Sequence, residues 1–178
     1  GTNWPGAAPL ETCELGAGTI NVNLNGKKDT LKEVKLGDGV KDIPDYFLSG
    51  CTKLETLEIG NGITKIGNRA FQQTNITSIA IPDSVTVIGE QAFNGCTSLT
   101  EVNVPKNSKL ETIGNRAFQQ TNITSIAIPD SVTVIGKQAF HRCTSHAEVN
   151  ISKYSKLETI EDGSFYDSRA VKMNVLGG

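Results

Sequence analysis

Apolar residues recur along the chain in a pattern that repeats about every 23 residues. One unit reads apolar-x-x-apolar-x-apolar, as at Leu31, Val34 and Leu36, and the last two positions alternate as in a short strand with one buried face. Turn residues follow, and then a second apolar pair such as Val85 and Ile88. An Ala-Phe pair closes most units. The pattern predicts short strands, with helices limited to single turns at the Ala-Phe pairs.

Internal repetition accounts for nearly the whole sequence. Residues 66–89 and 113–136 are identical letter for letter at an offset of 47 residues, so the chain contains a duplicated block of two smaller units. Seven units follow from this spacing, and they begin at Leu10, Leu31, Leu54, Ile76, Leu99, Ile123 and His146. We therefore predict a lead-in or N-terminal cap over residues 1–9, seven repeats over residues 10–169 and a partial C-terminal repeat over residues 170–178.

Repeats of this length specify a stacked architecture. A unit of about 23 residues cannot bury a hydrophobic core alone, whereas stacked units place like residues in ladders along a shared interior. The predicted interior includes one phenylalanine from each of five units: Phe71, Phe93, Phe118, Phe140 and Phe165. The expected fold is a β-rich solenoid in which each unit forms one turn, called a rung below.

Residues 81–99, IPDSVTVIGEQAFNGCTSL, closely resemble the signature I-P-x-S-V-T-x-I-G-x-x-A-F-x-x-C of the BspA-type leucine-rich repeat. The resemblance covers roughly residues 10–176. It implies a right-handed leucine-rich-repeat solenoid of the α/β class, with repeats of 22–24 residues and short strands on the concave face. It also implies a secreted or cell-surface protein associated with adhesion. Because the chain begins with Gly1, we expect that any signal peptide has been removed.

The charge distribution narrows the range of partners. Seventeen Lys and Arg residues oppose nineteen Asp and Glu residues, and no basic run exceeds Lys27-Lys28. Phosphate binding needs clustered positive charge, so we expect no nucleic-acid partner. No apolar stretch approaches the 18 or so residues of a membrane span, so we expect no span in this chain. We expect a monomer.

The four cysteines suggest buried thiols rather than a disulfide framework. Cys51, Cys96 and Cys143 share one repeat position, and two rungs of stacking separate Cys96 from Cys143 by roughly 10 Å, beyond the reach of a disulfide. Cys13 occupies a core position of a strand. A disulfide between Cys13 and Cys51 is the alternative.

The sequence shows no set of residues suited to catalysis or to metal binding. His141, Cys143 and His146 form an H-x-C-x-x-H cluster, but their repeat positions point in different directions and no fourth ligand is evident. There is no G-x-S-x-G motif and no nucleophile with an obvious base. We therefore expect no enzyme activity, no metal and no cofactor.

The concave face is the candidate binding surface. Residues between the inward apolar positions must point away from the core, and they make this face mildly acidic. The predicted protein-binding residues are Glu33, Glu58, Glu101, Asn103, Glu148 and Asn150. The face would accept a protein or extracellular-matrix partner with a basic patch. A solvated face with no partner is the alternative interpretation.

Loops on the convex side form a competing site. The two copies of the duplicated block differ there, at Asn94-Gly95 against His141-Arg142 and at Glu90 against Lys137. Two hypotheses about function remain open. The chain is an interaction or adhesion module, or it is a structural spacer of a larger surface protein with no ligand of its own.

Overall fold

The computed structural model describes residues 11–18, 24, 28–143, 148–168 and 172–176. These residues hold fourteen short strands, all paired in parallel, and no helix. Within the described residues, the six rungs that begin with β2, β4, β6, β8, β10 and β12 each pass through a first strand, a turn, a second strand and a closing turn, which contains Ala-Phe in four of them. The β-rich solenoid predicted from the repeat pattern is confirmed.

The first strands of successive rungs form one row of eight. They are β1 (Thr12–Gly18), β2 (Glu33–Val40), β4 (Thr56–Ile59), β6 (Ser78–Ala80), β8 (Glu101–Asn103), β10 (Ser125–Ile128), β12 (Glu148–Ser152) and β14 (Lys172–Leu176). This row consists of two hydrogen-bonded sheets, β1-β2-β4 and β6-β8-β10-β12-β14. Like repeat positions lie opposite each other, as in the series Cys13, Val34 and Leu57.

A second row of strands lies on another side of the solenoid. It contains β3 (Asp42–Ile43), β5 (Lys65–Ile66), β7 (Val87–Ile88), β9 (Thr112–Ile113), β11 (Val134–Ile135) and β13 (Thr159–Ile160). Each strand has only two residues, of which the isoleucine is buried in every strand except β13, so the strands are too short for a recognisable alternation in the sequence. Sequence analysis predicted the buried residues here without predicting a sheet.

The core is a set of ladders, one for each apolar repeat position. Leu31, Val34, Ile76 and Ile79 are buried as predicted. The phenylalanine rings stack with centroids 5.2–5.5 Å apart, at Phe71, Phe93, Phe118, Phe140 and Phe165. The first four are fully buried, but Phe165 is half-buried because, among the described residues, no further ring covers its other side.

The Ala-Phe segments are turns rather than the single helical turns predicted. The residue before each Ala-Phe pair and the second residue after it have positive φ, as at Arg69 (53°) and Gln73 (56°). A helix cannot continue through a left-handed residue. The backbone amides bond to the next rung instead, as in the 2.8 Å bond from the Phe93 amide to the Ala117 carbonyl.

Close stacking of the backbone explains the glycine that follows four of the six second strands, β5, β7, β9 and β11. A Cβ atom built on Gly114 would lie 2.8 Å from the Gly89 carbonyl carbon and from the Glu90 amide nitrogen. Real Cβ atoms do not approach backbone that closely. The Ile-Gly pair of the repeat is therefore a packing requirement between adjacent rungs.

The predicted division into seven repeats remains a prediction. Residues 1–10, which include the lead-in, lie outside the described part, as do 144–147, where the seventh repeat begins. Within the C-terminal partial repeat, only residues 172–176 are described, and they pair as β14 with β12.

Candidate protein-binding face

The outward side of the first strands, called the first-strand face below, carries the predicted site residues. On the first four strands of the five-stranded sheet, one register row reads Ser78, Glu101, Ser125, Glu148, and the parallel row reads Ala80, Asn103, Ala127, Asn150. On the fifth strand, β14, the rows continue with Lys172 and Asn174. Long acidic and amide side chains therefore alternate with small ones from rung to rung. The result is a shallow surface with ridges at β8 and β12.

The acidic charge of the N-terminal rungs is partly neutralised. The Lys35 ammonium lies 3.3 Å from a Glu33 carboxylate oxygen and 3.5 Å from one of Glu58. The hydrogen bond to Glu33, together with the charges of Glu58 and Glu33, raises the pKa of Lys35. One ammonium shared by two carboxylates leaves this cluster with one net negative charge, so it offers a partner less negative charge than two unpaired glutamates would.

Glu101 lies in a different environment. Its register neighbours on both sides, Ser78 and Ser125, are uncharged, and its carboxylate forms no ion pair within the described residues. The Asn103 side-chain amide donates a 2.7 Å hydrogen bond to its Oε1 atom. Both side chains are exposed. This pair holds an oriented carboxylate on a rigid strand.

The cysteines belong to the interior. All four are buried free thiols, and burial raises the pKa of Cys51 and Cys96 to about 11. The Cys96 thiol lies 3.3 Å from the Thr74 hydroxyl of the preceding rung and donates to the Phe71 carbonyl at 3.1 Å. A buried thiol with a raised pKa is a poor nucleophile, which fits a packing role.

A polar ladder occupies the position after each Phe. The Asn94 amide donates to Gln119 Oε1 at 2.8 Å, and Gln119 Nε2 lies 2.7 Å from His141 Nδ1. The His141 ring stacks on Tyr166 at 5.7 Å. Burial, followed by the charge of Arg142, lowers the pKa of His141.

Two residues of the competing convex-loop site, Asn94 and His141, belong to this polar ladder. Asn94 is buried within it and His141 is half-buried, so neither side chain is free for a partner. Arg142 forms a 3.1 Å ion pair with Asp167. Of the histidine–cysteine cluster, His146 lies outside the described residues. Among those that are described, no group of three His, Cys, Asp or Glu side chains could hold a metal ion.

Sequence analysis missed an aromatic and basic site at the turn after the first strands. Tyr154 is 69% exposed and lines a cleft with Pro105 and Pro129. The signal is present in the sequence, because residues 106–113 (KNSKLETI) and 153–160 (KYSKLETI) differ at only one position. Each copy carries two lysines that are three residues apart in sequence, so a search for runs of consecutive basic residues does not find them.

Comparison with known proteins agrees with this architecture. A family model described as the BspA type leucine rich repeat region matches residues 19–146 and 64–176, with six copies of the repeat. The chain belongs to the BspA-type leucine-rich repeat family. This family assignment was predicted from residues 81–99 and is confirmed. No match was found among curated protein sequences.

Solved structures of bacterial proteins share the fold of this BspA-type chain. The pneumococcal vaccine antigen PcpA superposes with a TM-score of 0.63 at 24% identity, covering 79% of this chain and 36% of PcpA. A leucine rich cell surface protein from Faecalibacterium prausnitzii A2-165 gives 0.55 at 23% identity, with coverages of 88% and 48%. The T. pallidum leucine rich repeat protein gives 0.53 at 27% identity, with coverages of 83% and 57%.

The BspA-type chain spans between 36% and 57% of the lengths of these three structures. Within its own described residues, no helix has the length and apolar character needed to cross a membrane.

Proposed function

We propose that this chain is a non-catalytic repeat domain of a secreted or cell-surface protein, and that it binds a protein partner through the first-strand face. The observation that carries the proposal is the Glu101–Asn103 pair, exposed on β8 and flanked in register by small uncharged side chains. The surface context is supported by the similar fold of the F. prausnitzii protein, which is a cell surface protein.

The chemistry of the face favours a basic partner. A lysine or arginine side chain can reach Glu101 across the low positions at Ser78, Ser125, Ala80 and Ala127, which leave room on either side. The strand is fixed by hydrogen bonds to both neighbours, so little ordering entropy is lost on binding. Glu148 and Asn150 occupy the same register positions two rungs along and would extend the contact, although Glu148 lies opposite Lys172 in register.

A capture experiment with matched charge reversals tests this proposal. The immobilised chain is exposed to extracellular-matrix and serum proteins, and captured proteins are identified by mass spectrometry. Glu101→Lys should abolish capture of basic proteins, whereas Glu111→Lys, the same change at an exposed residue before β9, should retain it. Equal capture of basic proteins by the wild-type chain, Glu101→Lys and Glu111→Lys would contradict a site on this face.

A structural spacer is the second candidate function. The observation in its favour is the identity of residues 66–89 and 113–136, because copies selected for a specific contact are expected to diverge at the contact. A spacer predicts that the wild-type chain captures nothing above the level of an unrelated immobilised protein.

A further inference from the structure

The turns after the first strands alternate in length over the three rungs that begin with β8, β10 and β12, and this alternation forms a notch. From Val102 to Ile113 the chain advances 113 − 102 = 11 residues, whereas the equivalent stretch from Ile126 to Ile135 advances 135 − 126 = 9. The rung of Val149 to Ile160 again uses 160 − 149 = 11. A short turn therefore lies between two long ones.

The notch is a cleft of about 330 Å³ with apolar lining at its centre. Ala127 and Pro129 of the short turn's rung lie between Pro105 of one long turn and Tyr154 of the other. Its volume is at the lower end of the range for pockets that bind small ligands or single side chains. The cleft thus offers an aromatic ring beside two prolines.

The walls of the notch are fixed before any partner arrives. The Tyr154 amide donates to Ser152 Oγ at 3.1 Å, and the Ser155 amide donates to the Ser152 carbonyl at 3.0 Å. The Lys156 amide donates to the Asp130 carbonyl at 3.0 Å, which ties the long turn to the short one. Preorganised aromatic contact surface is typical of interface hot spots.

Lysines lie on both long turns, and one of them, Lys106, lines the notch. Each long turn carries two exposed lysines: Lys106, Lys109, Lys153 and Lys156. None of the four forms an ion pair within the described residues, although Lys153 Nζ lies 5.1 Å from the centre of the Tyr154 ring. The one acidic side chain that lines the cleft is Asp130. The charge that complements this edge is negative, opposite to that expected for the first-strand face.

We propose that the notch between the two long turns binds a protein segment in which an apolar or aromatic side chain is flanked by acidic residues. The apolar side chain enters beside Tyr154, Pro105 and Pro129, and the flanking carboxylates face Lys106 and Lys153. The notch adjoins the first-strand face, with which it shares Ala127 and Asn150, and it goes beyond that face because it uses the turns after the strands and selects the opposite charge.

Fluorescence anisotropy with defined peptides tests the site on the full chain. The probe is a labelled acidic peptide, Asp-Glu-Phe-Asp-Glu with blocked ends, and the comparison peptides replace Phe by Ala or the acids by Lys. We expect the acidic Phe peptide to bind at least tenfold more tightly than either. Equal binding by the lysine peptide would overturn the proposal.

Matched variants locate the binding. Tyr154→Asn, which copies the residue at Asn107 of the other long turn, should weaken binding of the acidic Phe peptide about tenfold. Tyr166→Asn is the control, since Tyr166 is 70% exposed but lies outside the notch. Glu101→Lys should not weaken binding of this peptide, and this result distinguishes the notch from the site proposed on the first-strand face. Two results would overturn the proposal. One is binding of a heparin oligosaccharide, but not of the acidic Phe peptide, at the lysines of the long turns. The other is binding of the acidic Phe peptide that Tyr154→Asn leaves unchanged.

Discussion

Phe93 lies between two other rings, with its centroid 5.3 Å from that of Phe71 and 5.2 Å from that of Phe118. Removing this ring loses the free energy gained by transferring it from water to the core. It also leaves a cavity that the hydrogen-bonded rungs cannot close. Phe93→Ala should therefore lower the free energy of unfolding by about 3–5 kcal/mol. Urea unfolding followed by circular dichroism measures this loss.

The half-buried Phe165 provides the control for this substitution. Its ring contacts Phe140 on one side only among the described residues, so Phe165→Ala should cost clearly less than Phe93→Ala. A loss below about 1 kcal/mol for Phe93→Ala would show that this ring does not lie in a packed interior.

His141 makes the stability of the chain depend on pH. Gln119 Oε1 accepts from Asn94, so Gln119 Nε2 donates to His141 Nδ1 and that nitrogen carries no proton. Burial and nearby arginines lower the pKa of His141 in the folded state, so the unfolded state binds the proton more readily. The stabilisation is present above the unfolded pKa of about 6.5 and is lost as the pH falls through the folded pKa.

Unfolding measured between pH 8 and pH 5 tests this dependence. The control is His141→Asn, which copies Asn94 of the preceding duplicated block and cannot titrate. The wild type should lose more stability than His141→Asn as the pH falls below about 6.5. Parallel curves for the two proteins would show that His141 is not held neutral by the ladder.

At the scale of the strands and turns, the apolar spacing predicts the first row but not the second. The strands of the first row alternate over three or more residues, so buried and exposed positions can be recognised. Those of the second row have two residues each, and their pairing depends on contacts one rung away. Single helical turns were predicted at the Ala-Phe pairs, and the left-handed residues beside each pair exclude them.

Gly114→Ala tests the close contact between adjacent rungs. The added methyl would lie 2.8 Å from backbone atoms of Ile88, Gly89 and Glu90, none of which can move without breaking the ladder. We expect a loss of about 1–3 kcal/mol in the free energy of unfolding. Gly16→Ala is the matched control, because its Cβ would have nothing within 4 Å. Equal effects of both substitutions would contradict the stacking described for Gly114.

The whole molecule combines two surfaces of opposite character on one stack. The position of the acidic first-strand face could be predicted from the sequence, because outward residues follow directly from alternation along each strand. The pairing of Glu33 and Glu58 with Lys35 could not, since it depends on the conformations of long side chains. The notch beside Tyr154 depends on the turn lengths of three successive rungs, which become adjacent only in the folded stack.

Both proposed surfaces require that the chain is a stack of equivalent rungs, each contacting only its neighbours. The duplicated block allows a direct test. Deleting residues 90–136 joins Gly89 to Lys137 and reproduces the native junction, because residues 66–89 and 113–136 are identical. Deleting residues 90–125 instead joins Gly89 to Ile126 in the middle of a rung and serves as the control.

Thermal unfolding of the in-register deletion, followed by far-ultraviolet circular dichroism, is the most direct measurement. A solenoid loses two rungs and their interfaces, so this shorter chain should keep the β signal per residue and unfold cooperatively at a lower Tm. The control deletion should show no cooperative transition. Loss of the cooperative transition in the in-register deletion, or identical behaviour of the two deletions, would contradict the account.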